Sequence, residues 1–179
     1  SLTSADKLSE FLDECTGMRG VSAARKAVAY VVNGSASPRE TAVSLLLTLP
    51  LRMGGYALPS FAVNHELAVP KNLQGLTRRR SLRADFFWEN ACVAAEYDSD
   101  IAHLGSKELC NDATKRIALH RMGYTTFAFT RVQVDSLILM DESVAALRRE
   151  LGIRMPQRLP VDYRAKQAEL RRQLGLPFF

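Results

Sequence analysis

The chain is poor in the residues that mark extracellular and zinc-bound proteins. Its 179 residues include three cysteines, Cys15, Cys92 and Cys110, an odd number without a CxxC spacing. This pattern argues against a disulfide framework or a zinc knuckle and favours a reducing compartment. No run approaches the roughly 18 apolar residues of a membrane-spanning helix, and no segment has the pattern of a secretory signal. We therefore expect a cytoplasmic protein without a membrane partner.

The remaining composition is that of an ordinary globular domain with a small basic excess. Hydrophobic residues make up 47% of the chain and charged residues 24%, which suits a domain with its own core. The 24 Lys and Arg residues exceed the 19 Asp and Glu residues by five. Such an excess is compatible with nucleic-acid binding but is also common in proteins that bind none.

Hydrophobic periodicity and turn residues predict an α/β domain with a small mixed sheet. Helices are predicted at 4–15, 21–32, 37–49, 106–122, 135–151 and 159–174, and strands at 61–69, 81–88, 92–98 and 124–130. We predict a loop at 70–75, a break near Asp141, and an inward helix face formed by Leu109, Ala113 and Ile117. The order predicts about four strands flanked by helices. We expect three parts: a helical segment (1–34), an α/β domain (35–152) and a basic C-terminal helix (153–179).

Three acids lie near the ends of two predicted strands. Asp85 belongs to the strand at 81–88, and Glu96 and Asp98 end the strand at 92–98. Because strand side chains alternate, Glu96 and Asp98 point to the same side. If the two strands pair as a hairpin, Asp85 approaches them, and a hard divalent cation would relieve the mutual repulsion of the three carboxylates. The pattern predicts a magnesium site and, in a basic chain, phosphodiester chemistry.

The order of these residues resembles a known family. It is similar to the domain-of-unknown-function family allied to the very-short-patch-repair (Vsr) endonucleases, within the PD-(D/E)XK nuclease superfamily. The residues that carry the resemblance are Ser37-Pro38-Arg39-Glu40, Asp85, Glu96-Tyr97-Asp98, His103, Asp112 with Arg116, Gly123-Tyr124 and Phe129-Thr130. The chain also resembles the C-terminal part of abortive-infection antitoxins of the AbiEi type. Their longer members carry a winged helix, so the resemblance allows such a domain ahead of residue 1.

The resemblance implies a restriction-endonuclease-like fold and a magnesium- or manganese-dependent DNA endonuclease or nickase. It implies that Asp85, Glu96 and Asp98 bind the metal, that Glu40 supports the site, and that His103 assists proton transfer. Two departures favour the alternative of a non-catalytic module of a transcriptional regulator or antitoxin. Asp98 stands where the superfamily carries a lysine, and Ser99 stands where a glycine is usual.

Several of these residues also have purely structural interpretations. Glu40 stands at the third helical position after a Ser cap, so its role can be purely structural, namely to close a capping box. The resemblance implies that Arg116 faces the site and binds DNA, but Arg116 can also form a surface pair with Asp112, four residues away. The basic run of Arg78, Arg79, Arg80 and Arg83 fits DNA phosphates, but most such runs are solvated loops. The basic residues of the last two helices, including Arg148 and Arg171, are expected to form a mostly solvated face.

Overall fold

The computed structural model describes residues 4–98 and 106–177, and for 106–109 it describes the backbone alone. Its helices are α1 (Ala5–Glu14), α2 (Val21–Val28), α3 (Pro38–Thr48), α4 (Lys71–Thr77), α5 (Ser106–Arg121), α6 (Arg131–Asp135), α7 (Leu137–Glu150) and α8 (Tyr163–Gln173). Its strands are β1 (Ala62–Ala68), β2 (Ser81–Trp88), β3 (Val93–Asp98) and β4 (Thr125–Thr130). Short 3-10 turns occupy Leu51–Met53 and Glu89–Ala91.

The four strands form one mixed sheet in the order β1-β2-β3-β4. β1, β2 and β3 pair antiparallel, whereas β3 and β4 pair parallel, with Val93 opposite Thr125 and Asp98 opposite Thr130. Parallel neighbours need a crossover connection, and α5 is the helix of that connection. The predicted α/β class, with about four strands flanked by helices, is confirmed.

Helices cover the sheet on both faces. On one face Phe86 and Phe129 belong to a core shared with Leu46 of α3 and Leu147 of α7. On the other face a second core forms between α4, α5 and the sheet, and its buried members are Leu67, Val69, Leu73, Leu82, Ala84, Phe87, Ala94, Ala118 and Leu119. Helix α5 therefore packs against β2 and β3 on this second face of the sheet.

The structure corrects three predictions about the helices. The segment at 70–75 forms the start of α4, because the buried Leu73 anchors a helix that tolerates Gly75. The break in the predicted helix at 135–151 falls at Ser136, which caps α7, and not near Asp141. In α5, Ala113 and Ile117 are exposed, while Ala118 and Leu119 face the core.

The basic C-terminal helices are less solvated than predicted. Arg148 is 5% exposed, and its guanidinium donates to the backbone oxygens of Tyr56 and Arg154. Arg171 is fully buried and donates to the backbone oxygens of Val134 and Pro177. These arginines tie α7 and α8 to neighbouring segments, so their role is structural.

Candidate functional site

The predicted acids lie where the pairing between two strands ends. The ladder between β2 and β3 stops at the pair Phe86 and Ala95, so Asp85 and Glu96 occupy the next positions of their strands. The backbone N–H of Tyr97 donates to Asp85 Oδ2 at 2.9 Å. A side-chain carboxylate of β2 thus bonds the backbone of β3 at the point where the regular pairing opens.

The other neighbour of β2 is irregular at the same level. Asn64 lies opposite Asp85, between the regular pairs Val63–Phe86 and His65–Ala84. Asn64 has a φ of 51°, a left-handed conformation that asparagine adopts more readily than most residues. Regular strand pairing is therefore interrupted on both sides of Asp85.

Two cations from α5 meet the acids of β3. Lys115 forms an ion pair with Glu96, and the two side chains are only 21% and 20% exposed. Arg116 Nη2 lies 3.6 Å from Asp98 Oδ2. Arg116 therefore faces the acids, as the resemblance implies, and the structure records its ion pair with Asp98 instead of with Asp112. Helix α5 thus brings positive charge to acids that alternation alone places on one side of β3.

The acids of the site influence one another electrostatically. Burial raises the pKa of Asp85, and the negative charge of Glu40 adds to this effect, while the hydrogen bond from Tyr97 and the charge of Lys115 oppose it. Burial also raises the pKa of Glu96. Lys115 opposes that rise, and the charges of Asp85 and Asp98 reinforce it. The four acids and Lys115 therefore form one coupled electrostatic unit.

Glu40 stabilises the start of α3 but does not close the predicted capping box, because its carboxylate accepts no hydrogen bond from the backbone N–H of Ser37 within the described residues. Ser37 caps α3 by accepting from the Glu40 N–H at 3.1 Å, and the Ser37 hydroxyl donates to Glu40 Oε1 at 3.0 Å. Glu40 Oε2 accepts from the Ala36 N–H and from Asn64 Nδ2. Both carboxylate oxygens are therefore engaged in holding the start of α3 against β1. The charge of Glu40 nevertheless acts on Asp85, so stabilisation of α3 and support of the site coexist.

The donor set suits a hard cation in its chemistry, although the side chains are engaged with other partners. Carboxylate oxygens are the ligands that magnesium and manganese take in proteins. Lys115 and Arg116 neutralise Glu96 and Asp98, and a backbone N–H bonds Asp85. Among residues 4–98 and 106–177, no group of three or more His, Cys, Asp or Glu side chains is placed to share one ion. A cation at these acids would therefore have to compete with Lys115 for Glu96.

Two concave spaces adjoin the pair of Lys115 and Glu96. A cavity of about 90 Å³ is lined by Glu96 and Arg116 together with residues of β4. A larger cavity of about 370 Å³, which we call the α4–α5 cavity, is lined by Leu76, Thr77, Arg78, Arg79, Leu82, Cys110, Asn111, Asp112, Thr114 and Lys115. Arg78 and Arg79 of the predicted basic run thus line the same cavity as Lys115, which pairs with Glu96.

The four arginines of that run have different surroundings. Arg78 and Arg79 line the α4–α5 cavity. Arg83 is exposed on β2, two residues before Asp85, and its charge opposes the rise in the pKa of that acid. Arg80 is exposed and does not line the cavity. The predicted proton-transfer residue, His103, and the departure at Ser99 lie outside the described residues.

Lys115 is the site residue that the sequence analysis missed. The true inward face of α5 is Ala118, Leu119 and the partly buried Met122. Positions 115, 118, 119 and 122 follow the spacing of one helix face, i, i+3, i+4 and i+7. This spacing is the sequence signal that could have placed Lys115 on the inward face of α5. Of the predicted inward face, Ala113 and Ile117 are exposed, and the side chain of Leu109 lies outside the described residues. The prediction therefore had the wrong helix phase and placed Lys115 away from the sheet.

Comparisons with known proteins do not add to this description. Models of protein families, curated proteins and solved structures were compared with the chain, and none matches it significantly. The resemblance to Vsr-like nucleases and to antitoxins therefore stays a prediction. In the described part of the chain, no helix is both long enough and apolar enough to cross a membrane.

Proposed function

We propose that this chain is a metal-dependent DNA endonuclease or nickase of the Vsr-like type, with a restriction-endonuclease-like sheet. The observation that carries the proposal is the half-buried unit of Asp85, Glu96 and Lys115 at the point where β2 and β3 separate. Buried acids with raised pKa values and a specific charge partner are typical of functional sites, although structural ion pairs also produce them. The basic α4–α5 cavity beside Lys115 supports a phosphodiester substrate.

Each residue has a role that its surroundings support. Asp85 and Glu96 would hold a magnesium or manganese ion, with Asp98 as a further oxygen donor. Such an ion, when bound, neutralises the scissile phosphate and acidifies a water molecule. Lys115 supplies from α5 the cation that the superfamily pattern places at the position of Asp98, and it would orient a phosphate oxygen or the attacking water. Glu40 acts on the site through its charge at Asp85.

A second candidate function is a non-catalytic DNA-binding module of a regulator or antitoxin. The ion pairs of Lys115 with Glu96 and of Arg116 with Asp98 favour it, because they already neutralise two acids without a metal. A module of this kind needs the fold and the basic surface but not ionised acids. The two candidates therefore differ in what they require of Glu96.

The experiment measures nicking of supercoiled plasmid with magnesium and with manganese. Wild type is compared with Glu96→Gln and Lys115→Met, and Glu169→Gln serves as a matched control on α8, where Glu169 pairs with Arg172 and Gln173. We expect Glu96→Gln and Lys115→Met each to lower the nicking rate by about 10²-fold or more and the control to leave it unchanged.

DNA binding measured in parallel separates the two candidates. Phosphate contacts release counterions, so affinity should fall steeply between about 50 and 200 mM salt for either candidate. Salt-dependent binding that survives Glu96→Gln, in a wild type that does not nick, would replace the enzyme by the binding module. Absence of both nicking and binding would contradict both.

A further inference from the structure

We propose that the α4–α5 cavity is a binding site for a single nucleotide unit, with its phosphate held by Arg78 and Arg79. This inference deepens the proposed function and rests on it, because the nucleotide would be the neighbour of the phosphodiester at Asp85 and Glu96. The cavity is concave, and its volume of about 370 Å³ falls in the range of small-ligand sites. A surface that only followed a passing DNA backbone would not need such a recess.

The charge of the cavity fits one phosphate group. Within the described residues, no carboxylate pairs with the guanidinium of Arg78 or Arg79. The charge of Lys115 is committed to Glu96, and Asp112 is the acid among the lining residues. The two guanidinium groups therefore outweigh the single carboxylate. Guanidinium forks match the geometry of phosphate oxygens.

The other lining groups suit the rest of a nucleotide. Leu82 is buried at the cavity and Leu76 is partly exposed, so they offer an apolar surface to a sugar or a base. Asn111 and Thr114 carry amide and hydroxyl groups that can bond a base edge or a sugar hydroxyl. A mixed lining of this kind favours a nucleotide over inorganic phosphate, which would use the arginines alone.

The position of the cavity connects it to the acids. Lys115 belongs to the cavity lining and at the same time pairs with Glu96, which lines the smaller cavity on β3 and β4. A strand with one nucleotide in the α4–α5 cavity would place its next phosphodiester on the side of Lys115 where the acids lie. The cavity would thereby set which bond of the strand reaches Asp85 and Glu96.

The test titrates the intact protein with 2′-deoxynucleoside 5′- and 3′-monophosphates, the matching deoxynucleosides and inorganic phosphate, without metal. Calorimetry gives the affinity, and ¹H–¹⁵N NMR locates the site. We expect a monophosphate to bind about tenfold or more tightly than its nucleoside and than phosphate, because charge-assisted bonds and the apolar lining both contribute. Shifts should concentrate at 76–82 and 110–115.

Two variants in the same basic run make the test specific. Arg79→Ala removes a guanidinium of the cavity, and its affinity for the monophosphate should fall about tenfold. Arg80→Ala removes an exposed guanidinium outside the cavity and should bind like wild type. Circular dichroism should be the same for all three proteins, since neither side chain is buried. Arg79→Lys should recover part of the affinity, because it keeps the charge and loses the fork.

Failure of this inference is distinguishable from failure of the nuclease proposal. Absence of monophosphate binding, equal binding of phosphate and nucleotide, or equal effects of Arg79→Ala and Arg80→Ala would each overturn the nucleotide site. Any of these results could occur in a protein that nicks plasmid. Conversely, specific nucleotide binding without nicking would support the site and overturn the nuclease.

Discussion

Lys115 of α5 forms an ion pair with Glu96 of β3, and each side chain is about one-fifth exposed. A half-buried pair is screened less by water than a surface pair, and removal of one partner leaves the other charge in a poorly solvated place. The pair therefore connects the crossover helix to the acidic end of the sheet. The pair also affects the stability of the fold and the pKa of Glu96, and both of its residues belong to the proposed nuclease site.

We expect strong thermodynamic coupling between these two residues. In a double-mutant cycle with Lys115→Met and Glu96→Gln, urea unfolding should give an interaction energy of about 1 kcal/mol or more, as is typical of contacting residues in one network. The control is the exposed pair of Lys166 and Asp162, for which Lys166→Met and Asp162→Asn should give a much smaller interaction energy, because water and salt screen surface ion pairs. Equal coupling in both cycles would mean that the pair at the site is no more than a surface contact.

The raised pKa of Glu96 predicts a pH dependence of stability with a definite sign. Burial raises the pKa of Glu96 above its ordinary value of 4.5 in the folded protein. Between that value and the raised one, the folded state binds more protons than the unfolded state, so this group's contribution to stability falls as the pH rises through the window. The glutamine of the Glu96→Gln variant does not titrate. The free energy of unfolding of this variant, relative to that of wild type, should therefore increase from acidic to neutral pH.

Glu169→Gln supplies a control of opposite sign for this measurement. Hydrogen bonds from Arg172 and Gln173 lower the pKa of Glu169 to about 2. The unfolded state then binds more protons between about 2 and 4.5, so this variant should lose stability relative to wild type as the pH rises through that range. The effect should be small, because Glu169 is exposed. Unfolding curves recorded from acidic to neutral pH check both signs, and parallel behaviour of the two variants would refute the assignment.

Two glycines with different surroundings, Gly55 after α3 and Gly75 in α4, allow a prediction about packing. A Cβ on Gly55 would lie 2.2 Å from the backbone oxygen of Leu49, so Gly55→Ala should destabilise the protein by about 2 kcal/mol or more. Gly75, inside α4, has no heavy atom within 4 Å of such a Cβ. Gly75→Ala should stabilise the protein by about 0.5–1 kcal/mol. Thermal unfolding of both variants tests this, and destabilisation by Gly75→Ala would contradict the packing of α4.

The sequence was informative about the sheet and its acids because both depend on local patterns. Alternation of apolar residues predicted β2 and β3 within a residue of their ends, and it placed Glu96 and Asp98 on one side of β3. The Ser-Pro-x-Glu pattern predicted the start of α3, where Ser37 forms the expected N-cap. Gly54 and Gly55 lie in the turn that follows α3 and the first 3-10 helix. The close approach of backbone from Leu49 and Lys166 explains why glycine is needed there.

What the sequence analysis missed depends on contacts between distant segments. Lys115 meets Glu96 only because α5 crosses over the parallel pair β3–β4, and the error in helix phase concealed it. Arg148 and Arg171 were expected on a solvated face, yet both are buried and donate to backbone oxygens of other segments. The charge of an arginine predicts exposure on average, but it does not reveal where an unpaired carbonyl needs a donor.

Competition between Lys115 and a divalent cation gives the last prediction. Since Lys115 already neutralises Glu96, an ion bound at Asp85 and Glu96 must displace that ammonium group or share the carboxylate with it. Binding to the folded state alone raises the melting temperature with ion concentration. Millimolar manganese should therefore raise the melting temperature of wild type modestly. The rise should be larger in Lys115→Met, which removes the competing charge, and absent in Asp85→Asn, which removes a ligand.

The Lys166→Met variant is the control, because Lys166 pairs with Asp162 at the start of α8, and it should respond like wild type. If manganese shifts none of these proteins, the acids do not bind a metal, and the binding-module interpretation should replace the nuclease. If Lys115→Met responds less than wild type, Lys115 supports the ion instead of competing with it.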